Sequence, residues 1–187
     1  MLSVRRVRVD EWEAVRDLRL ESLSDPLAPI AFLDTRASAE ARSDDFWRDR
    51  TARAAESDDG AQLVAEDDGE WVGSLTVLLR RPGATDHLHR TVAHPSADVV
   101  GVWVRPTHRG DGTIDALLEA AVEWAVAHGA QTVSLDVHVD NHRAQGAYRR
   151  FGFRETGEVT QSVAGRELRM TLQAERSGRA ADRPSLG

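Results

Sequence analysis

Cysteine is absent from the 187-residue chain, which excludes disulfides, zinc–thiolate sites and any acyl-cysteine intermediate. Lysine is absent as well, because all 24 basic residues are arginine, and lysine-based catalysis and Schiff bases go with it. No apolar run approaches the roughly 20 residues of a membrane helix, so no membrane partner is expected. The opening Met1-Leu2-Ser3-Val4, followed by Arg5, Arg6 and Arg8, lacks the apolar stretch of a secretory signal, and a cytoplasmic protein is expected. Positive charge is in deficit: a net charge of −7 offers no basic stripe for phosphate, so no nucleic-acid partner is expected and a cationic one is mildly favoured. What remains is ordinary globular material, 41% hydrophobic and 29% charged, of a length that fits one domain with one core.

Periodicity places the elements. Ser3 to Val9 alternates valine with arginine as a half-buried strand does. Asp10 is expected to cap a helix that runs to Ser24-Asp25-Pro26, Leu27 to Arg36 is irregular, and Ser38 to Glu56 reads as one helix whose apolar side holds Phe46 and Trp47. Strands 62–65 and 71–79 meet at Asp67-Asp68-Gly69, residues that tolerate the positive φ of a tight hairpin turn. Residues 80–97 read as a loop, and strand 99–104 stops at Arg105-Pro106. Helix 113–128 closes at Gly129; strand 132–139, helix 143–150 and strands 153–157 and 167–172 complete a domain of residues 1–173, and 174–187 reads as a polar, disordered tail. The loop histidines His87, His89 and His94 read as solvent-exposed, and no metal is assigned.

The most informative stretch is the strand Val99-Val100-Gly101-Val102-Trp103-Val104 that feeds Arg109-Gly110-Asp111-Gly112-Thr113 at the head of the long helix. A glycine-containing turn at a helix N-terminus gathers free backbone N–H groups beside the positive end of the dipole, which suits a pyrophosphate. No Gly-Lys-Ser/Thr follows and the three-glycine dinucleotide spacing is missing, so neither common nucleotide fingerprint applies.

This order, continued by Asn141, Ala144, Tyr148, Gly152 and Phe153, resembles the coenzyme A core of the GNAT acetyltransferases. Arg109 and Gly112 match two of the three marked positions of the family's Arg/Gln-x-x-Gly-x-Gly/Ala turn, Ile114 standing at the third; the N-x-x-A-x-x-x-Y-x-x-x-G-F pattern is met in full. The resemblance covers roughly residues 98–157 and implies a mixed α/β (α+β) fold: a central, mostly antiparallel sheet of seven strands, flanked by helices and splayed between strands four and five. It implies transfer of an acetyl group from acetyl-CoA to the primary amine of a small molecule or protein N-terminus, by direct attack in a ternary complex without a metal. Homodimers occur among such relatives.

The resemblance also implies the site. The backbone of Val102, Trp103 and Val104 would pair with the pantetheine arm, and Arg109, Gly110, Asp111, Gly112, Thr113 and Ile114 would surround the pyrophosphate. Asn141 would bond the pantetheine or its neighbouring backbone, and Tyr148 would protonate the departing thiolate. For the base that takes the amine's proton, Asp136 is preferred over Asp98, with His138, on the same strand face as Asp136, a third candidate. Bulk at Ile114 and the charge of Asp111 support a second reading, a non-catalytic acyl-CoA-binding or regulatory module.

Overall fold

A computed structural model describes residues 1–85 and 90–174. Seven strands, β1 Ser3–Arg6, β2 Gly60–Asp67, β3 Glu70–Arg80, β4 Ser96–Val104, β5 Thr132–His138, β6 Arg154–Ser162 and β7 Gly165–Gln173, form one sheet in the order β1-β2-β3-β4-β5-β7-β6. Every pairing is antiparallel except β4 with β5. The helices are α1 Trp12–Ser22, α2 Ala28–Ala31, α3 Arg36–Glu40, α4 Asp44–Glu56, α5 Thr113–Ala127 and α6 His142–Phe151.

Alternation along β2 shows how the layers divide. Leu63 and Ala65 join an apolar cluster with Leu117, Leu118 and Ala121 of α5 and Tyr148 of α6. Between them, Val64 points the other way, into a cluster with Val15 and Leu18 of α1, Trp47 of α4 and Trp103 of β4. Helices therefore cover both faces of the sheet.

Local chemistry accounts for the boundaries. The β2–β3 hairpin turns where expected, with Asp68 at φ 47° and Gly69 at φ 83°. The single helix expected over 38–56 is instead two, because Ser43 in extended backbone accepts from the Phe46 amide at 3.3 Å and restarts the chain as α4. Asp10 caps nothing; Glu11 reaches back to the Arg8 amide at 2.8 Å, and a 3₁₀ turn at Val9–Glu11 precedes α1. The stretch expected to be irregular contains the short α2, and β6 and β7 run longer than expected. His87 and His89, and the expected tail beyond Ala174, lie outside the described residues.

The junction of β4 and β5 positions everything that follows. These strands pair only through Ser96–Thr132, Ala97–Val133 and Asp98–Ser134. β4 then runs on to Val104 and β5 to His138 with no pairing between them, so the sheet forks as the resemblance implied. At the fork Arg169 of β7 donates to Asp98 of β4 at 2.8 Å and to Asp136 of β5 at 2.9 Å. Arg80 holds the other oxygen of Asp98 at 2.8 Å, and Arg90 is bidentate on Asp136 at 3.1 and 2.9 Å. The Asp98 side chain is 1% exposed and that of Asp136 5%, so both charges depend on these arginines. Arg169→Met is expected to lower the unfolding free energy in urea by about 2–3 kcal/mol, because each buried carboxylate loses one charged donor while Arg80 and Arg90 stay in place.

Candidate active site

Past the last paired residue, the free edge of β4 is shaped by a bulge. Thr76 faces Val100 and Ser74 faces Trp103, so Leu75 alone opposes both Gly101 and Val102. Gly101 takes φ 63°, a conformation that a side chain resists, and the bulge turns the backbone of 102–104 along the mouth of the fork.

A cavity of about 260 Å³ opens there. Its floor is Val102, Trp103 and Val104, one end is Arg109, Gly110 and Ile114, and the far wall is α6 with Asn141, Ala144 and Tyr148. Asp25, Leu27, Ala28, Ala31 and Phe32 close it from the α1–α2 side. A second cavity of about 70 Å³ continues between the strands, lined by Gly101, Asp136, His138 and Glu167. Ala31, Val102, Asn141, Ala144 and Tyr148 border both, so the two form successive parts of one cleft.

The α5 end carries the expected glycine turn, with some of its backbone donors already engaged. Gly112 at φ 97° is the N-cap of α5, and Gly110 takes φ 91° in the turn before it. The Asp111 carboxylate accepts from the Thr113 amide at 3.0 Å and its hydroxyl at 2.7 Å. Burial pushes the Asp111 carboxyl up, but these bonds outweigh it and hold the group below its usual range. Asp111 thus caps its own helix, and later first-turn amides, Ile114 among them, still lack an intrahelical acceptor.

Arg109 is anchored at the same end. Its Nε donates to the Val104 carbonyl at 2.7 Å, and Nη2 is ion-paired with Asp25. Asp25 also accepts from the Trp103 indole at 3.1 Å and the Leu27 amide at 2.9 Å. Burial raises the pKa of Asp25, whereas Leu27, Trp103 and Arg109 lower it more, and the carboxyl stays ionised below its usual range. Arg143 and Arg150 line the cavity alongside Arg109, so three guanidiniums border it on a chain of net charge −7.

Tyr148 sits at the joint between the cavities, 6% exposed, packed edge-on at 6.1 Å to Phe153. Burial raises its pKa, so the phenol keeps its proton at neutral pH. Asn141 caps α6, accepting from the Ala144 amide at 3.2 Å, and so aims the helix that carries Tyr148.

The three residues weighed as bases fall in different places. Asp136 borders the inner cavity, while Asp98 lies under the fork and lines neither cavity. His138 borders the inner cavity, but its Nδ1 accepts from the Asp140 amide at 3.1 Å, which puts the proton of the neutral ring on Nε2. Sequence reasoning missed Glu167, which is 8% exposed, pairs in register with His138 and borders the same cavity. Its signal was present: Glu167 and Arg169 alternate on one face of β7, the face that Arg169 turns toward Asp98 and Asp136.

The "Acetyltransferase (GNAT) family" model matches residues 12–153. A Bacillus subtilis (strain 168) protein that bears the name of a ribosomal protein bS18-alanine N-acetyltransferase is 24% identical over 155 residues, 83% of this chain and 82% of its own length. An aminoglycoside N(6')-acetyltransferase type 1 of Acinetobacter haemolyticus is 28% identical over 98 residues, 52% of this chain and 65% of that protein. In fold, a Salmonella typhimurium structure solved with acetyl-CoA superposes with a TM-score of 0.70 at 18% identity, over 94% of this chain and 95% of its own. With the family model spanning most of its length, and the forked sheet and its helices in place, the chain belongs to the GNAT acetyltransferases and is an acyltransferase enzyme.

Proposed function

We propose that the chain transfers an acetyl group from acetyl-CoA to the primary amine of a small molecule or a protein N-terminus, by direct attack while both are bound. The observation that carries this reading is the continuous cleft: a cationic, amide-lined end at α5, a free strand edge at 102–104, and Tyr148 at the joint to an inner cavity bordered by carboxylates. The solved Salmonella typhimurium neighbour, with acetyl-CoA bound, supports this donor. The two curated relatives bear the names of enzymes that act on an alanine and on an aminoglycoside, both amine acceptors.

The division of labour follows from what each group can do. Arg109, Gly110, Gly112 and Ile114 place the diphosphate at the head of α5, with Asp111 and Thr113 fixing the turn. The backbone edge of Val102, Trp103 and Val104 holds the pantetheine arm extended, and an edge N–H faces the thioester carbonyl as negative charge develops there. The amine's nitrogen bonds to the acyl carbon, the carbon–sulfur bond breaks, and the thiolate takes the Tyr148 proton. Asp136, on the opposite wall, accepts the amine's proton through a water, because both of its oxygens already hold arginines. Glu167 is the neighbouring carboxylate that serves if Asp136 only orients Arg90 and Arg169.

Free CoA released from acetyl-CoA over a panel of amines tests the reading; tight acetyl-CoA binding with no turnover on any amine would instead favour a non-catalytic acyl-CoA module. Tyr148→Phe is expected to lower kcat about 10²-fold or more with little change in acetyl-CoA binding; unchanged turnover removes the acid assignment. Arg109→Ala is expected to raise the KM for acetyl-CoA by about tenfold, the loss of one charge-assisted contact to phosphate, while an unaltered KM would place the diphosphate elsewhere.

A further inference from the structure

Beneath α1 and α4, inside the apolar layer built by Val15, Leu18 and Trp103, lies a polar hollow of about 30 Å³. Space of that size holds about two water molecules, or the two oxygens of a carboxylate. Arg19 of α1, Arg50 of α4, Gln62 of β2 and Ser74 of β3 line it. Polar groups placed in such a layer require partners, and several here have none.

Two guanidiniums share one carboxylate, and among the described residues a third has none. Arg42 holds Asp34 at 2.8 Å and Arg19 stands 3.8 Å from it, its guanidinium lying 4.5 Å over the Phe32 ring. Among the described residues Arg50 makes no ion pair or hydrogen bond. Gln62 is 7% exposed, and its Oε1 has no hydrogen-bond partner; turning its amide over would offer the hollow a donor instead. Burial, and then the neighbouring Arg50 and Arg42, lower Arg19 to about 10 despite Asp34, and burial with Arg42 lowers Arg50. A pocket that disfavours its own cations in this way is short of an anion.

Its place in the fold says what the anion belongs to. Gly101, the bulge of β4, borders both the hollow and the inner cavity, and Trp103 borders both the hollow and the outer cavity. An amine that reaches the fork at Gly101 therefore sits beside the arginines. We propose that the acceptor carries a carboxylate close to its amine, as an amino acid does, and that Arg19 and Arg50 hold this carboxylate under α1 and α4. The inference rests on the acetyl-transfer reading above, and it runs against the cationic partner that the overall charge of −7 favours.

The test compares each standard L-amino acid with its own amide, with O-phosphoethanolamine and spermine beside them, by release of CoA from acetyl-CoA and by calorimetry without it. At least one amino acid is expected to exceed its amide about tenfold in kcat/KM, the effect of a charge-assisted contact. Arg50→Gln and Arg19→Gln, each checked for folding by circular dichroism, should bring that ratio toward one. Amides or spermine used as well as the acids, a preference for the phosphate, or a ratio untouched by both substitutions would overturn the proposal. If wild type acetylates no amine, the transfer reading fails by itself and calorimetry decides the carboxylate site: tighter binding of acids than amides supports it, and equal binding refutes it.

Discussion

A parallel pair of strands tends to keep pairing, and the site exists only because β4 and β5 stop after three residue pairs. Arg169 supplies the reason at the stopping point. Its guanidinium lies between Asp98 on one strand and Asp136 on the other, with Arg80 on the second oxygen of Asp98 and Arg90 on both oxygens of Asp136. A planar cation with several fixed donors suits this task, since it satisfies two carboxylates at once without letting them approach each other. The bulge at Gly101 completes the separation by turning β4 away just beyond the bridge.

That arrangement redefines the acidic residues. The family resemblance marks Asp98 and Asp136 as candidate bases on β4 and β5. In the fold, Asp98 is the inner anchor of the fork and lines neither part of the cleft, and Asp136 combines anchoring with a place on the cavity wall. Asp111 likewise turns inward, capping α5 through Thr113 rather than standing as a bare charge before a phosphate.

What the sequence disclosed was local or periodic. The hairpin at 67–69, the glycine turn before α5, the asparagine cap of α6 and the amphipathic α5 depend on residues close together in the chain, and each formed where its pattern lay. Ser43 was a cap hidden inside a helical pattern, and propensity alone did not separate it from the run around it. The ion-pair chain, the Arg109–Asp25 contact and the arginines under α1 and α4 join residues dozens of positions apart. No spacing rule connects them, because only the sheet order brings them to one place.

Beyond the bridge β4 loses β5 but stays paired with β3, so from Val99 to Val104 only its other edge is unpaired, over roughly 20 Å at about 3.3 Å per residue. The far end of that edge bears the indole of Trp103 and leads to the turn before α5. A tilt of about 5° of the β3–β4 pair away from β5 displaces that end by roughly 2 Å, comparable to the difference between a formed and a broken hydrogen bond. The clearance between the two walls is thus governed at the base of the wedge, far from the atoms that feel it.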